Sequence, residues 1–256
     1  MYLIFDIGAT KMRIAVSADG ASFSEPKVLP SPEGAAELVS TFADVAQELL
    51  GGKKPKAICG GVTRKHYDAR KGLAEIFDCP TYFENDAALA ALGEARVGAG
   101  RGKNIVVYLT ISTGVGGARV TNGRIDESAN GFEPGSQILN LDNEQKTLEQ
   151  LVSGRSLAKR FGKSPKEVSD PVIWDELARL LAHGLYNTAV HWSPEVIILG
   201  GSMILGDPRI DLITLEKHLR GIPSIFSDFP TIASAELGDF NGLHGALHFL
   251  QQKLSN

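Results

Sequence analysis

Short apolar runs alternate with amphipathic helical patterns along the chain. Residues 2–7 and 12–17 are apolar and rich in β-formers, which predicts two strands joined by a turn of small residues. The apolar spacing over 33–50 predicts a helix that two glycines end. The same patterns predict further strands over 21–29, 57–62, 81–83, 104–112, 195–199 and 231–235, and further helices over 87–97, 147–161, 171–191, 208–219 and 241–252. Strands that alternate with helices predict the α/β fold class.

One pattern occurs twice. Residues 6–16 (DIGATKMRIAV) and residues 110–120 (TISTGVGGARV) both predict a strand, a turn of small residues and a returning strand. Each segment opens one half of the chain, and the glycine-rich stretch 98–103 between the halves predicts a linker. The repeat indicates two similar lobes whose hairpins face one ligand, although glycine turns also occur in the hairpins of unrelated α/β proteins.

Composition and charge exclude several classes of protein. The chain has 256 residues, of which 43% are hydrophobic and 22% charged, so it can bury a core and is not disordered. Its net charge of −4 argues against non-specific nucleic-acid binding. No apolar run has transmembrane length and the N-terminus lacks a signal pattern, so we expect no membrane partner. The two cysteines have neither metal-binding nor redox spacing, which indicates a reducing cytoplasm.

The first candidate site follows the first predicted strand. Asp6 ends this strand, and Gly8, Thr10 and Lys11 lie in or beside the turn after it. Backbone N–H groups, a hydroxyl and an ammonium would bind phosphate oxygens there, while the Asp6 carboxylate would hold Mg²⁺ through water. The alternative is an ordinary turn in which Asp6 bonds only the local backbone.

Glycine is unusually abundant, with 28 residues, and it marks two further candidate sites. Around Thr113 and Gly114 the backbone could approach an anion closely, although the segment matches neither the P-loop nor the dinucleotide fingerprint. Gly200 and Gly201 follow an apolar strand and would admit an adenosine against bare backbone. A plain hairpin turn and an ordinary strand end are the respective alternatives.

Polar residues also cluster where a strand passes into a helix. Glu84, Asn85 and Asp86 could hold a polyol through several hydroxyl groups, and Asp86 could take the proton of a hydroxyl that is being phosphorylated. The competing interpretation is that Asp86 caps the helix over 87–97, a role that stabilises by about 1 kcal/mol without any chemistry.

Five segments resemble, in order, the motifs of one family. DIGATKMR is similar to DxGxTxxR, the first phosphate motif of the ROK family (repressor, open reading frame, kinase), which belongs to the superfamily of actin, heat-shock chaperones and sugar kinases. ENDAALAALGEA resembles its sugar motif ENDANAAALGE, LTISTGVGGARV its second phosphate motif LGTGVGGG, LEQLVSGRSL the segment after its zinc loop, and IILGGSMI its adenosine motif. The resemblance runs from residue 6 to about residue 202.

The resemblance implies a fold, an activity and a set of ligands. The fold would be two actin-like (ribonuclease H-like) lobes with a cleft between them: residues 1–103, with the C-terminal helix 241–256 packed back on them, and residues 104–240. The activity would be an ATP- and Mg²⁺-dependent phosphoryl transfer to the 6-hydroxyl of a glucose-like hexose, with Asp86 as general base. The family resemblance also implies a homodimer. Implied sugar ligands are Asn85, Asp86, Glu133, Ser136 and Glu149, and implied ATP and phosphate ligands are Asp6, Gly8, Thr10, Lys11, Thr113, Gly114, Gly200 and Gly201.

The chain departs from the family pattern at the sugar and zinc motifs. In GFEPGSQ, Ser136 stands where the family has a histidine, and residues 137–148 contain no cysteine where the family has CxCGxxGCxE. We therefore expect no zinc, and the sugar stays open between glucose-like hexoses and N-acetylhexosamines such as N-acetylmannosamine or N-acetylglucosamine. Because the chain starts at the first strand, we also expect none of the DNA-binding helices of repressor members.

Two alternatives accompany the kinase hypothesis. A sugar or nucleotide sensor could retain the scaffold without catalysis, which the departures at Ser136 and the zinc loop favour. The intact residues Asp6, Asn85, Asp86, Glu133 and Glu149 oppose it more strongly, because a sensor has no need of a general base. Polyphosphate could also replace ATP as the phosphoryl donor.

Overall fold

The structure is a computed structural model that describes residues 1–140 and 145–255. Internal contacts divide the chain into two compact units, Met1–Val97 with Asp239–Asn256, and Gly98–Gly238. Each unit is built on a five-stranded sheet with helices, which confirms the predicted α/β class. The lobe limits that the sequence suggests, after residues 103 and 240, stay a prediction. Within the described ranges, none of the helices combines the length and apolar character needed to cross a membrane.

The first unit contains five strands in the order β3-β2-β1-β4-β5. The strands are β1 (Tyr2–Ile7), β2 (Lys11–Ser17), β3 (Lys27–Pro30), β4 (Ile58–Val62) and β5 (Thr81–Glu84), and the helices are α1 (Ala35–Leu50), α2 (Arg70–Glu75), α3 (Asp86–Val97) and, from the C-terminal segment, α9 (Asn241–Leu254). Strands β1, β4 and β5 are parallel, whereas β2 and β3 run antiparallel to their neighbours. Because parallel strands end at the same edge, this order brings the residues after β1, β4 and β5 together.

Helices α3 and α9 pack at glycines. A Cβ atom on Gly93 of α3 would collide with the carbonyl oxygen of Asn241, and one on Gly245 of α9 would collide with that of Leu89. The alanines that surround Gly93 keep α3 narrow and almost wholly buried. This close packing fixes the first turn of α3, which follows β5 directly.

The second unit contains a sheet in the order β12-β11-β6-β7-β8 and a small hairpin of β9 and β10. Its strands are β6 (Ile105–Ile111), β7 (Val115–Thr121), β8 (Arg124–Ile125), β9 (Ile138–Asn140), β10 (Lys146–Thr147), β11 (Val196–Gly200) and β12 (Thr231–Ser234), and its helices are α4 (Leu148–Val152), α5 (Gly154–Phe161), α6 (Pro171–Trp192), α7 (Ser202–Leu205) and α8 (Leu212–Arg220). The apolar residues of β6, β11 and α6 supply most of its core.

The two sheets have the same topology. In each, an antiparallel hairpin (β1–β2 or β6–β7) is extended by a third antiparallel strand on one side and by two parallel strands on the other. The repeated segments 6–16 and 110–120 lie in these two hairpins. The sequence repeat therefore corresponds to equivalent positions in two similar sheets.

Three of the predicted elements differ from the structure by more than two residues or are interrupted. The strand expected over 21–29 is only β3, because Asp19 Oδ1 accepts the backbone N–H groups of Ala21 and Ser22 and turns the chain. The helix expected over 147–161 is interrupted at Ser153, which is extended and whose side chain caps α5. The helix expected from residue 208 begins only at Leu212, where Asp211 caps it.

Candidate active site

Two acidic residues approach each other at the carboxyl edge of the first sheet. Asp6 pairs with Gly61 on the adjacent strand, which in turn pairs with Glu84, and Asp86 is the first residue of α3. A Cβ atom on Gly61 would lie 2.9 Å from the Asp86 Cα and 3.4 Å from Asp6 Oδ1. Gly242 of α9 covers Asp6 from another side, since its Cβ would lie 2.7 Å from the Asp6 Cγ. Glycine at these positions lets the two carboxyl groups come together.

The prediction that Asp86 caps its helix is wrong. The capping oxygen belongs to Asn85, whose Oδ1 accepts the N–H of Ala88 at 3.1 Å. The peptide between Glu84 and Asn85 is also fixed, because Glu84 Oε1 accepts the N–H of Asn85 at 2.8 Å. The half-buried Asp86 carboxylate is therefore not needed for the cap.

Arg13 joins the buried carboxylate to an exposed one. Its Nη1 donates to Asp6 Oδ2 at 3.1 Å and its Nη2 lies 3.4 Å from Asp239 Oδ1. Lys11 pairs with the other oxygen of Asp239 at 3.2 Å. Burial raises the pKa of Asp6 to about 7, while Arg13 opposes this increase and Asp86 adds to it. A cation beside Asp6 would therefore favour the ionised carboxylate.

The acids of the first unit fit a hydrated magnesium ion. Oδ2 of Asp6 bonds Arg13, whereas Oδ1 has no hydrogen bond to the described residues. The charge of Asp86 already disfavours ionised Asp6, and a divalent cation would offset that repulsion. Across 1–140 and 145–255, no three His, Cys, Asp or Glu side chains form a group that could hold a metal. One or two carboxylates suffice for Mg²⁺, because this ion keeps several waters and is completed by substrate phosphates.

The predicted phosphate residues of the first unit share one turn. Gly8 and Lys11 close it, with the Gly8 N–H donating to the Lys11 carbonyl at 3.0 Å. Thr10 and Lys11 are exposed. The turn joins β1 to β2 and begins at Gly8, two positions after Asp6 in the chain.

In the second unit, Thr113 and Gly114 lie in the turn between β6 and β7. The N-terminus of α5 holds this turn, because Gly154 N–H donates to the Ser112 carbonyl at 2.7 Å and Arg155 N–H to the Thr113 carbonyl at 3.3 Å. The first two residues of α5 therefore fix the turn that resembles the second phosphate motif.

Glu149 of α4 bonds the residue that follows this turn. Its Oε2 accepts the N–H of Val115 at 2.8 Å, and a Cβ on Gly114 would lie 2.7 Å from the same oxygen. On its other side, Val115 contacts Gly135, where a Cβ would collide with the Val115 carbonyl oxygen. Gly135 belongs to the turn Pro134–Ser136. Two more predicted sugar ligands, both exposed, lie here: Glu133 directly precedes the turn and Ser136 is its last residue.

A pocket of about 460 Å³ opens beside Thr113 within the second unit. Two cationic side chains line it, Arg155 and Lys166, together with Asp207 and the apolar Met203. The volume suits a small molecule. The mixture of cations, a carboxylate and apolar surface is suited to a ligand with a flat apolar part, hydroxyl groups and an anionic group.

Gly200 and Gly201 do not line this pocket. A Cβ on Gly200 would collide with the Tyr108 ring, and one on Gly201, at φ +87°, with the Ile111 carbonyl oxygen. Packing on β6 accounts for both glycines, and the next residue, Ser202, does line the pocket. A direct contact between either glycine and a nucleotide stays a prediction.

The segment where the family has its zinc loop is described only in part. Strands β9 and β10 pair there, and residues 141–144 lie outside the described residues. The absence of zinc stays a prediction from the missing cysteines.

Sequence reasoning missed several residues that the structure brings to these positions. Arg13 stands within DIGATKMR, so its arginine could have been assigned from that motif. For Gly61 the sequence gives only a weak indication of a close approach, since it is one of two adjacent glycines. No sequence signal joins Asp239 to Lys11, because the two lie 228 positions apart.

The family model of ROK proteins matches residues 53–253 of this chain. The chain belongs to the ROK family. A fructokinase of Lactococcus lactis subsp. cremoris is 31% identical over 196 residues, which cover 66% of this chain and 65% of that protein. The xylose repressor of Bacillus spizizenii is 27% identical over 192 residues, covering 66% of this chain and 50% of the repressor.

A solved structure agrees over nearly the full length. The ROK hexokinase of Thermus thermophilus is 26% identical, covers 98% of this chain and 99% of its own, and superposes with a TM-score of 0.77. This similarity confirms the expected actin-like fold of two lobes, and the family model confirms the resemblance inferred from the five motifs.

Proposed function

We propose that this ROK protein is an ATP- and Mg²⁺-dependent kinase that phosphorylates the 6-hydroxyl of a glucose-like hexose. One observation carries the proposal: Asp86 lies beside the buried Asp6, and Asn85 has taken over the capping role that would otherwise explain Asp86. Two neighbouring carboxylates, one buried and one half-buried, match a site that needs both a cation ligand and a base. The kinases among its relatives, a fructokinase and a hexokinase, support the reaction class.

In the proposed reaction, Asp86 accepts the proton of the sugar hydroxyl. The hydroxyl oxygen then bonds the γ-phosphorus of ATP, the bond from that phosphorus to the β–γ bridging oxygen breaks, and ADP leaves with that electron pair. Phosphoryl transfer of this kind depends on positioning and on stabilising charge. Asp6 would hold Mg²⁺, which when bound neutralises charge on the phosphates.

In the first unit, the proposed sugar ligands are Asn85 and Asp86. Asn85 keeps its amide NH₂ for a hydroxyl, because only its Oδ1 serves the cap. In the second unit, Glu149, Glu133 and Ser136 carry acceptors and a hydroxyl suited to the other sugar oxygens. Glu149 Oε2 is fixed by the Val115 N–H, which leaves Oε1 for the substrate.

The pocket of the second unit would bind the nucleoside and part of its phosphates. Arg155 and Lys166 suit phosphate oxygens, Asp207 suits ribose hydroxyls and Met203 suits the base. In the first unit, the turn that contains Gly8, Thr10 and Lys11 would contact the terminal phosphates.

The test is a coupled assay of ADP release. Glucose, fructose, mannose and their N-acetylated amino derivatives are supplied with ATP or polyphosphate, and glucose with ATP is expected to give the highest kcat/KM. Asp86→Asn is expected to lower kcat by about 10²–10⁴-fold with an unchanged melting temperature, because Asn85 keeps the cap. Asp44→Asn, an exposed acid on α1, is the matched control. Near-normal turnover in Asp86→Asn would remove the base assignment.

A non-catalytic sensor is the second candidate. Ser136, in place of the family's histidine, favours it, and the xylose repressor shows that the family includes regulators. Sugar binding by calorimetry without ADP release from any donor would establish the sensor.

We further propose that the enzyme acts in the cytoplasm, without nucleic acid or zinc, as a homodimer. Its two cysteines are free thiols in the structure, as expected in a reducing compartment. Light scattering of the purified protein measures the oligomeric state, and elemental analysis after chelation measures zinc.

A further inference from the structure

The turn Gly8–Thr10 is held from outside by Ser31. The Ser31 hydroxyl donates to the Gly8 carbonyl at 2.9 Å, and the Ser31 N–H donates to the Thr10 carbonyl at 3.0 Å. Ser31 therefore donates hydrogen bonds to both the first and the last carbonyl of the turn. Ser31 comes directly after β3, 21 positions beyond Thr10 in the chain, and belongs to none of the motifs found in the sequence.

Ser31 is itself rigidly placed. It lies between Pro30 and Pro32, so a fixed φ angle precedes it and its own backbone is confined to extended conformations. Pro30 also pairs with Lys11 at the end of the β2–β3 ladder. The hydroxyl and N–H of Ser31 therefore reach the turn from a segment with little freedom.

A third group lies beside the middle of the turn. The imidazole of His66, only 1% exposed, lies against the backbone of Ala9. His66 lies in the 3-10 helix Arg64–Ala69, which follows β4, and Lys65 of the same helix pairs with Glu33 at 3.4 Å. This ion pair ties the helix to the segment that carries Ser31.

Holding the carbonyls also sets the direction of the amides. A trans peptide is planar, so its C=O and N–H groups point in opposite directions. The carbonyl of Gly8 shares a peptide with the N–H of Ala9, and that of Ala9 shares one with the N–H of Thr10. Neither of these N–H groups has a hydrogen-bond partner among the residues the structure describes. Successive free N–H groups of this kind form a binding site for anionic oxygens.

We propose that Ser31 is a positioning residue for the phosphoryl donor: its bond to the Gly8 carbonyl directs the Ala9 N–H toward the phosphate oxygens of the nucleotide, and its bond to the Thr10 carbonyl fixes the end of the turn. The inference rests on the proposed kinase function. Ser31 does not touch the substrate and acts through the backbone of the turn.

The test compares Ser31→Ala with Ser31→Thr, which keeps the hydroxyl. Ser31→Ala is expected to raise the KM for MgATP by about three- to tenfold, the effect of one hydrogen bond, and to leave the KM for the sugar unchanged. Ser31→Thr is expected to restore the KM for MgATP to within about twofold of the original. Ser24→Ala is the matched control, because it removes another hydroxyl of the same unit that bonds a backbone N–H, that of Val16.

Two outcomes overturn the inference. One is an unchanged KM for MgATP in Ser31→Ala. The other is a parallel rise of both KM values with a fall in melting temperature, which indicates a merely structural role. If the unaltered protein releases no ADP with any sugar, the proposed function fails, and Ser31 is then judged by calorimetry with MgADP. Weaker MgADP binding in Ser31→Ala supports its role, whereas equal binding, or no binding by the unaltered protein, overturns it.

Discussion

Replacing Asp6 by asparagine tests whether burial raises the pKa of the Asp6 carboxyl and so makes the stability of the fold depend on pH. Burial raises the pKa of Asp6 from 3.8 to about 7, against the opposing charge of Arg13. The folded state thus binds the proton more tightly than the unfolded state does. Asp6 therefore stabilises the fold while it is protonated, and this contribution is lost as the pH rises from about 4 through about 7.

The magnitude follows from the size of the pKa change. About three pKa units, at 1.36 kcal/mol per unit, correspond to roughly 4 kcal/mol over the whole range. Between about pH 5 and about pH 8 the expected loss is roughly 2–3 kcal/mol. Asn cannot titrate, and its oxygen can still accept from Arg13. The unfolding free energy of Asp6→Asn minus that of the unaltered protein should therefore increase by roughly 2–3 kcal/mol across this interval.

Urea unfolding at several pH values measures this difference. Both tryptophans, Trp174 and Trp192, lie in the second unit, so circular dichroism is preferable to fluorescence for following the first. Buried histidines such as His66 also titrate, but they are common to both proteins and cancel in the difference. Asp44→Asn is the control and should show no such trend. A difference that stays constant to within about 0.5 kcal/mol would refute the conclusion that Asp6 is held with a raised pKa.

Two glycine substitutions should have contrasting effects. Gly61→Ala puts a Cβ 2.9 Å from the Asp86 Cα, where backbone must move, so we expect a loss of about 1–3 kcal/mol in urea unfolding and a lower kcat. In Gly114→Ala the Cβ meets only the end of Glu149, so we expect a loss below about 1 kcal/mol but a higher KM for the sugar. Gly34→Ala, with no atom within 4 Å of the added Cβ, is the control for both. Equal stability of Gly61→Ala and Gly34→Ala, or an unchanged sugar KM in Gly114→Ala, would contradict these expectations.

Local sequence patterns were sufficient to predict the fold class and to identify the motifs and their order. Apolar period and turn residues depend on near neighbours in the chain, so strands such as β1 and β6 and their hairpin turns could be predicted from the sequence. The repeat at 6–16 and 110–120 likewise indicated two similar sheets. Such patterns mispredicted the element bounds where a side chain accepts hydrogen bonds from the nearby backbone, as Asp19 and Ser153 do.

Tertiary structure alone decided how the candidate residues work together. Both Asn85 and Asp86 are residue types that cap helices well, and only the structure shows that α3 begins at Asp86 and that Asn85 caps it. The approach of Asp6 to Asp86 depends on β4 lying between β1 and β5 with a glycine at position 61. The pairing of Lys11 with Asp239, and of Ser31 with the turn at Gly8, joins residues far apart in the chain. Such contacts arise from the packing of whole elements, which no local pattern encodes, and the sequence by itself determined only which residue types were available for them.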